Sequence, residues 1–164
     1  MQLHILRHAE AEDSAPSGMD ADRRLTESGQ KRMRLVARAI AKVLEPEYDA
    51  ILVSPLVRAR ETATPVAAAC GFSRELRETE ALLPHAPAHA VLEELSRLKC
   101  ETALLVGHEP HMGKLFGRLA CGEAHLDLSM KKASLAAFES DGDPASARWE
   151  LKLYLPPRIL ERLG

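Results

Sequence analysis

No stretch of the 164-residue sequence approaches the ~18 uninterrupted apolar residues of a membrane helix, so a membrane span is not expected. The opening MQLHILRHAEAE carries charge within ten positions and has no long apolar core. It does not read as a secretory signal, and a cytoplasmic chain is expected. Cysteine is scarce: Cys70, Cys100 and Cys121 are widely spaced, odd in number and form no CxxC pair. A structural zinc site and a disulfide framework are both unsupported, and reduced thiols are expected. Basic charge is not in excess either. Lys and Arg number 22 against 24 Asp and Glu, for a formal net charge of −2 with seven histidines neutral. Nucleic acid is therefore not expected as a partner. Internal repeats, low-complexity tracts and linkers are also missing. What remains, 46% apolar and 28% charged, is ordinary for a globular chain, and its length suits one domain over residues 1–164.

Apolar runs and helical stripes alternate along that chain. Gln2 to Leu6 reads as a mostly buried first strand. Residues 9–24 are small and polar, a loop long enough to carry function. Thr26 is placed to cap a helix, with Glu27 in its first turn and Leu35, Val36, Ala39, Ile40 and Val43 on one apolar face before Pro46. Residues 49–53 (DAILV) form a second strand. Ser54 and Pro55 then open a helix, as N-cap and first helical residue, that runs to Cys70 and ends at Gly71. Glu75 to Glu78 suits a short edge strand, Ala88 to Leu98 a helix, Glu101 to Val106 a third strand. A helix of about two turns ends before Gly122. Residues 132–138 and 148–155 read as an antiparallel hairpin, and the tail after Pro157 as a short helix. The pattern predicts a three-layer α/β/α sandwich around a mostly parallel sheet.

The chemistry-bearing residues sit just past three of the strands: Arg7-His8, then Ser54 to Arg58, then Gly107-His108-Glu109-Pro110. In open α/β sheets ligands bind outside the carboxyl ends of parallel strands, so adjacent strands would bring two arginines and two histidines into one crevice. A guanidinium matches two phosphate oxygens at once, and a neutral imidazole can attack phosphorus. The arginines would carry the transition-state charge, and no metal is required. They should also lower the pKa of His8. Singly, each residue has a plainer reading: Arg7 a surface cation, His8 a polar strand end, Arg58 an i,i+3 partner of Glu61.

The segments LRHAEA at 6–11, SPLVRARET at 54–62 and VGHEP at 106–110 resemble the histidine phosphatase superfamily, most of all its short bacterial SixA-type phosphohistidine phosphatases. Residues 24–29 (RLTESG) resemble that group's R-x-L-T-x-x-G segment. The resemblance covers most of residues 1–115. It implies a phosphoglycerate-mutase-like fold, a nucleophile at His8, phosphate clamps at Arg7 and Arg58, a hydrogen-bonding His108, and Arg24 as a substrate-binding residue at the pocket rim. It implies no cofactor and no metal. Two positions depart from the family pattern. Ala9 stands where most members have glycine, which is tolerable if its φ is negative. Proline at 84 falls where larger relatives carry a general-acid glutamate, with only Glu80 and His85 nearby to substitute. A weak acid suits a good leaving group such as the imidazole of phosphohistidine.

The expected activity is hydrolysis of phosphohistidine on a protein. Small phosphate esters such as sugar phosphates are the alternative substrates, and a non-catalytic phosphate-binding module or a metallohydrolase using His4, His8 and His108 the alternative classes. His4 lies on the face of His8 but is expected to pack in the core or on the sheet surface. His111 is expected at the rim or as a cap, His85, His89 and His125 exposed, and Lys131-Lys132 solvated.

Overall fold

A computed structural model describes residues 1–122, 126 and 128–164. His125 lies outside the described residues. Six strands form one sheet: β1 (Gln2–Arg7), β2 (Ala50–Val53), β3 (Arg77–Glu78), β4 (Thr102–Gly107), β5 (Leu135–Glu139) and β6 (Glu150–Leu155). Their order is β3-β2-β4-β1-β5-β6. The first four in sequence run parallel, while β5 and β6 are antiparallel at one side, so the sheet is mixed, mostly parallel, as expected.

The helices are α1 (Glu27–Leu44), α2 (Val57–Ala69), α3 (Ala90–Leu98), α4 (His111–Cys121) and α5 (Pro157–Leu163). Strand alternation divides the core between two faces. Leu6, Ile51, Val53 and Val106 pack with Val36 and Ile40 of α1, Ala63 and Val66 of α2 and Leu160 of α5. Leu3, Ile5, Leu52 and Leu105 pack instead with Val91 and Leu95 of α3 and Met112 and Leu115 of α4. Helices thus cover both sides, which gives the expected three layers.

Some boundaries differ from the sequence reading. The Thr26 cap forms, its hydroxyl accepting from Gly29 N–H. Val36, Ala39 and Ile40 of the expected α1 face are buried, joined by Met33 and Ala37, whereas Val43 in the last turn is 44% exposed. Helix α2 begins at Val57, not at Pro55. Leu56 is extended (φ −72°, ψ 135°), so Ser54 and Pro55 form the turn leading to the helix. Helix α4 has eleven residues, three turns rather than two. The backbone at Ala9 does not adopt positive φ, so alanine fits there without strain.

Candidate active site

Strand β4 lies between β1 and β2, so the carboxyl ends of all three are neighbours. The backbone ties them together just where the chemistry begins. His8 N–H donates to Gly107 O at 3.0 Å, and Ser54 N–H to Val106 O at 3.0 Å. The parallel register pairs Arg7 with Gly107, which sets His8 beside His108. Their ring centroids are 4.8 Å apart, with the planes inclined at 51°. Arg58, in the first turn of α2, and Arg7 are both close enough to depress protonation of His8. Arg58 acts on His108 as well. The four residues expected to meet are thus brought near one another at the carboxyl ends of these strands.

Each is held for a physical reason. His8 is buried, and its Nδ1 lies 2.6 Å from Ala9 O. A carbonyl only accepts, so Nδ1 carries the proton and Nε2 keeps its lone pair. Burial is the largest influence on His8 and lowers its pKa to about 4; the Ala9 bond opposes this, and Arg58, Arg7 and Lys132 reinforce it. Burial, with His8 and Arg58, lowers His108 further, to about 2. Both imidazoles are therefore neutral at pH 7. His108 Nδ1 and Nε2 and Arg7 Nε are buried with no hydrogen-bond partner among the described residues. Such groups are costly unless a ligand completes them, and an oxyanion of several acceptor oxygens would. Arg7 Nη1 donates to Met130 O, while Glu109 Oε1 accepts from Met130 N–H at 2.9 Å. The segment before β5 thereby braces the Arg7 side. Ala133 completes the brace, its N–H reaching Arg7 O at 3.0 Å and His8 O at 3.2 Å.

Arg58 is only 5% exposed, and its partner is not Glu61. Nη2 meets Asp20 Oδ2 at 2.9 Å and Nη1 meets Asp20 O at 2.7 Å, from a 3-10 turn at Asp20–Asp22 in the long loop. Glu61 instead accepts from Arg24 Nε at 2.7 Å and from Leu25 N–H at 2.7 Å. Arg24 is thus turned onto α2, its side chain 66% exposed, in a groove with Gln30, Met33 and Thr64. The contacts of Arg24 lie there.

The other histidines divide between core and surface. His4 Nδ1 is 2.7 Å from the Tyr48 hydroxyl, and the pair is buried in the core. Among the described residues no three His, Cys, Asp or Glu side chains group as a metal site. His111 corrects the expectation of a rim or capping position: it is fully buried, because α4 turns its first residues toward the sheet. His85 and His89 are exposed, as are Lys131 and Lys132. Lys132 nevertheless lies close enough to influence His8. Asp20 and Glu109 were not distinguished by sequence reading. Glu109 stood within VGHEP without a role, and Asp20 had no motif to mark it.

Comparison with known proteins identifies the family. A model of the histidine phosphatase superfamily (branch 1) matches residues 3–83. An uncharacterized protein of Picosynechococcus sp. is 34% identical over 158 residues, covering 94% of both chains. The phosphohistidine phosphatase SixA homolog of Haemophilus influenzae is 37% identical over 130 residues, 73% of this chain and 77% of its own. The structure of the protein histidine phosphatase SixA complexed with tungstate superposes with a TM-score of 0.85 at 26% identity, covering 98% of this chain and 99% of that one. With two strand-end imidazoles and two arginines gathered at neighbouring strand ends, and with a 34% identical relative matched over 94% of the chain, the chain belongs to the histidine phosphatase superfamily and is a phosphatase close to SixA.

Proposed function

We propose that the protein hydrolyses phosphohistidine on a partner protein through a phosphohistidine intermediate at His8. The observation that carries the reading is the neutral His8 ring with Nδ1–H anchored on Ala9 O, beside His108 at 4.8 Å and within the field of Arg7 and Arg58. In the first step the Nε2 lone pair of His8 attacks phosphorus. The bond from phosphorus to the leaving ring breaks, and that ring, protonated on its other nitrogen in the substrate, keeps the bonding pair and leaves as a neutral imidazole. Arg7 and Arg58 hold equatorial oxygens, and neutral His108 donates its one N–H to the transferring group. In the second step water attacks phosphorus. The bond to Nε2 breaks, a proton is lost from the water, and inorganic phosphate leaves with His8 restored.

Two features support a protein substrate. Pro84 stands where a general-acid glutamate would be expected, and an imidazole leaving group makes little demand on an acid. An open apolar cleft of about 690 Å3 adjoins Asp20, lined by Leu56, Leu83, Pro84, Pro87 and Ala90, with room for residues flanking a phosphorylated side chain. The similarity to the SixA relatives points the same way. Exposed His85 and Glu80 border this cleft.

Turnover of a phosphohistidine protein and of a panel of sugar phosphates tests the substrate, and His8→Ala tests the mechanism. We expect preference for phosphohistidine and at least a ~1000-fold loss of turnover in His8→Ala, with vanadate binding retained. Faster turnover of the sugar phosphates would overturn the substrate, and full activity of His8→Ala would overturn the nucleophile.

A further inference from the structure

Thr62 belongs to the second of the three site segments but touches no group that would contact phosphate. It is fully buried on α2, one turn beyond Arg58. Its Oγ1 lies 2.7 Å from Arg58 O. A carbonyl cannot donate, so the hydroxyl proton is committed to Arg58 O and the oxygen is left to accept. What it accepts is Ala9 N–H, at 3.1 Å. Ala9 is the second residue past β1, fully buried, and it is the residue whose carbonyl anchors His8 Nδ1.

We infer that Thr62 is a positioning residue for the nucleophile: its hydroxyl bridges Arg58 O and Ala9 N–H, and so fixes the turn whose Ala9 carbonyl holds the His8 imidazole in its attacking tautomer. This inference rests on the reading of His8 as nucleophile. The bridge joins the two chain segments that must cooperate, the turn carrying His8 and the helix carrying Arg58. The neighbouring backbone is pinned as well. His8 O accepts from Ala133 N–H and Glu10 O from Thr26 N–H at 3.0 Å, so Thr62 supplies the remaining tie, at the residue between them.

A threonine hydroxyl bonded to the carbonyl four residues back is a common helical habit and proves nothing alone. The same helix contains the control. Thr64 Oγ1 donates to Arg60 O at 2.8 Å in the same i to i−4 pattern, but Thr64 is exposed and Ala9 is out of its reach. Only the Thr62 bond extends from α2 to the strand end. Removing its hydroxyl strands a buried N–H, and that turn can then move to find a partner.

The test compares Thr62→Val, Thr62→Ser and Thr64→Val. Displacement of an attacking atom by a fraction of an ångström slows the chemistry more than it weakens anion binding. Thr62→Val should therefore lower kcat roughly 10- to 100-fold, with KM and vanadate affinity changed less than about threefold. Thr62→Ser restores the bridge and should stay within about threefold of the native kcat, as should Thr64→Val. Nitrogen-15 NMR of labelled imidazole gives a readout independent of turnover. His8 shows one Nδ1–H tautomer in the native chain and in Thr62→Ser, and a tautomer mixture in Thr62→Val. Should Thr62→Val fold poorly, Thr62→Ala makes the same deletion with less crowding. Native kcat and a single tautomer in the hydroxyl-free variant would overturn the inference, as would an equal loss in Thr62→Ser. Were the native chain inert toward every phosphate, the functional reading would fail, while the tautomer measurement would still decide the role of Thr62.

Discussion

His8 is a histidine that the fold keeps from behaving as one at the usual pH. An ordinary imidazole protonates near 6.5, whereas burial lowers this one to about 4, with Arg58, Arg7 and Lys132 adding to the effect. Arginine proximity was foreseen as the cause, but burial outweighs it. In the proposed mechanism the attacking form is the neutral one, so protonation would remove activity as pH falls, and the window is set by the lowered value. An NMR titration of the His8 ring should give a midpoint near 4, and kcat/KM measured with a fully ionised substrate should hold from pH 7 to about 5. A midpoint near 6.5 would contradict the enclosure described for the ring. Arg58 shows a complementary restraint. Its fork rests on Asp20, so a phosphate bound as proposed would share the guanidinium with a carboxylate already in place.

At the scale of elements, the site depends on how closely α1 approaches the turn after β1. A Cβ on Gly29 would sit 2.2 Å from the carbonyl oxygen of Glu10, two residues beyond His8. That approach explains the glycine that ends the RLTESG segment, and it lets the start of α1 fasten the turn through Thr26 N–H to Glu10 O. Gly29→Ala should cost about 1–3 kcal/mol, measured by urea unfolding, because backbone rather than a pliable side chain must give way. Activity should fall with it, since the same displacement propagates to His8. A stability change below about 0.5 kcal/mol would mean that helix and turn separate without penalty.

Among the described residues, four histidines, at 4, 8, 108 and 111, are buried, and burial lowers the pKa of each. The unfolded chain takes up protons on these rings as pH falls through about 6.5, whereas the folded chain does not until about 4 for His4, His8 and His111. Stability is thus fully present above pH 6.5 and drains away below it. Each ring contributes up to about 1.4 kcal/mol per pH unit within that window. Urea midpoints at pH 7, 6 and 5 should decline with a steepening slope, and a flat profile would refute the burial of these rings.

Much of this architecture was legible in the chain. Apolar runs ending in Arg7-His8, Ser54 and Gly107-His108 disclosed both the parallel strands and the pocket at their carboxyl ends, because a strand end is marked locally by the change from apolar to polar residues. The rest depended on contacts with no local signature. Asp20 reaches Arg58 across 38 residues from a loop without periodicity. Glu61 is spaced to pair with Arg58 but is drawn away by Arg24 and Leu25. Ser54-Pro55 has the chemistry of a helix start, yet the extended Leu56 delays α2 to Val57.

Strand β4 is the fourth strand made but occupies the middle of the sheet, inserted between the first and the second. A nascent chain carrying Arg7, His8 and Arg58 alone has no wall to set them against. Until residues 102–108 arrive and slide into that gap, the anion pocket has no existence, even in part. A chain that ends before residue 102 should therefore lack phosphatase activity, however well its earlier helices form.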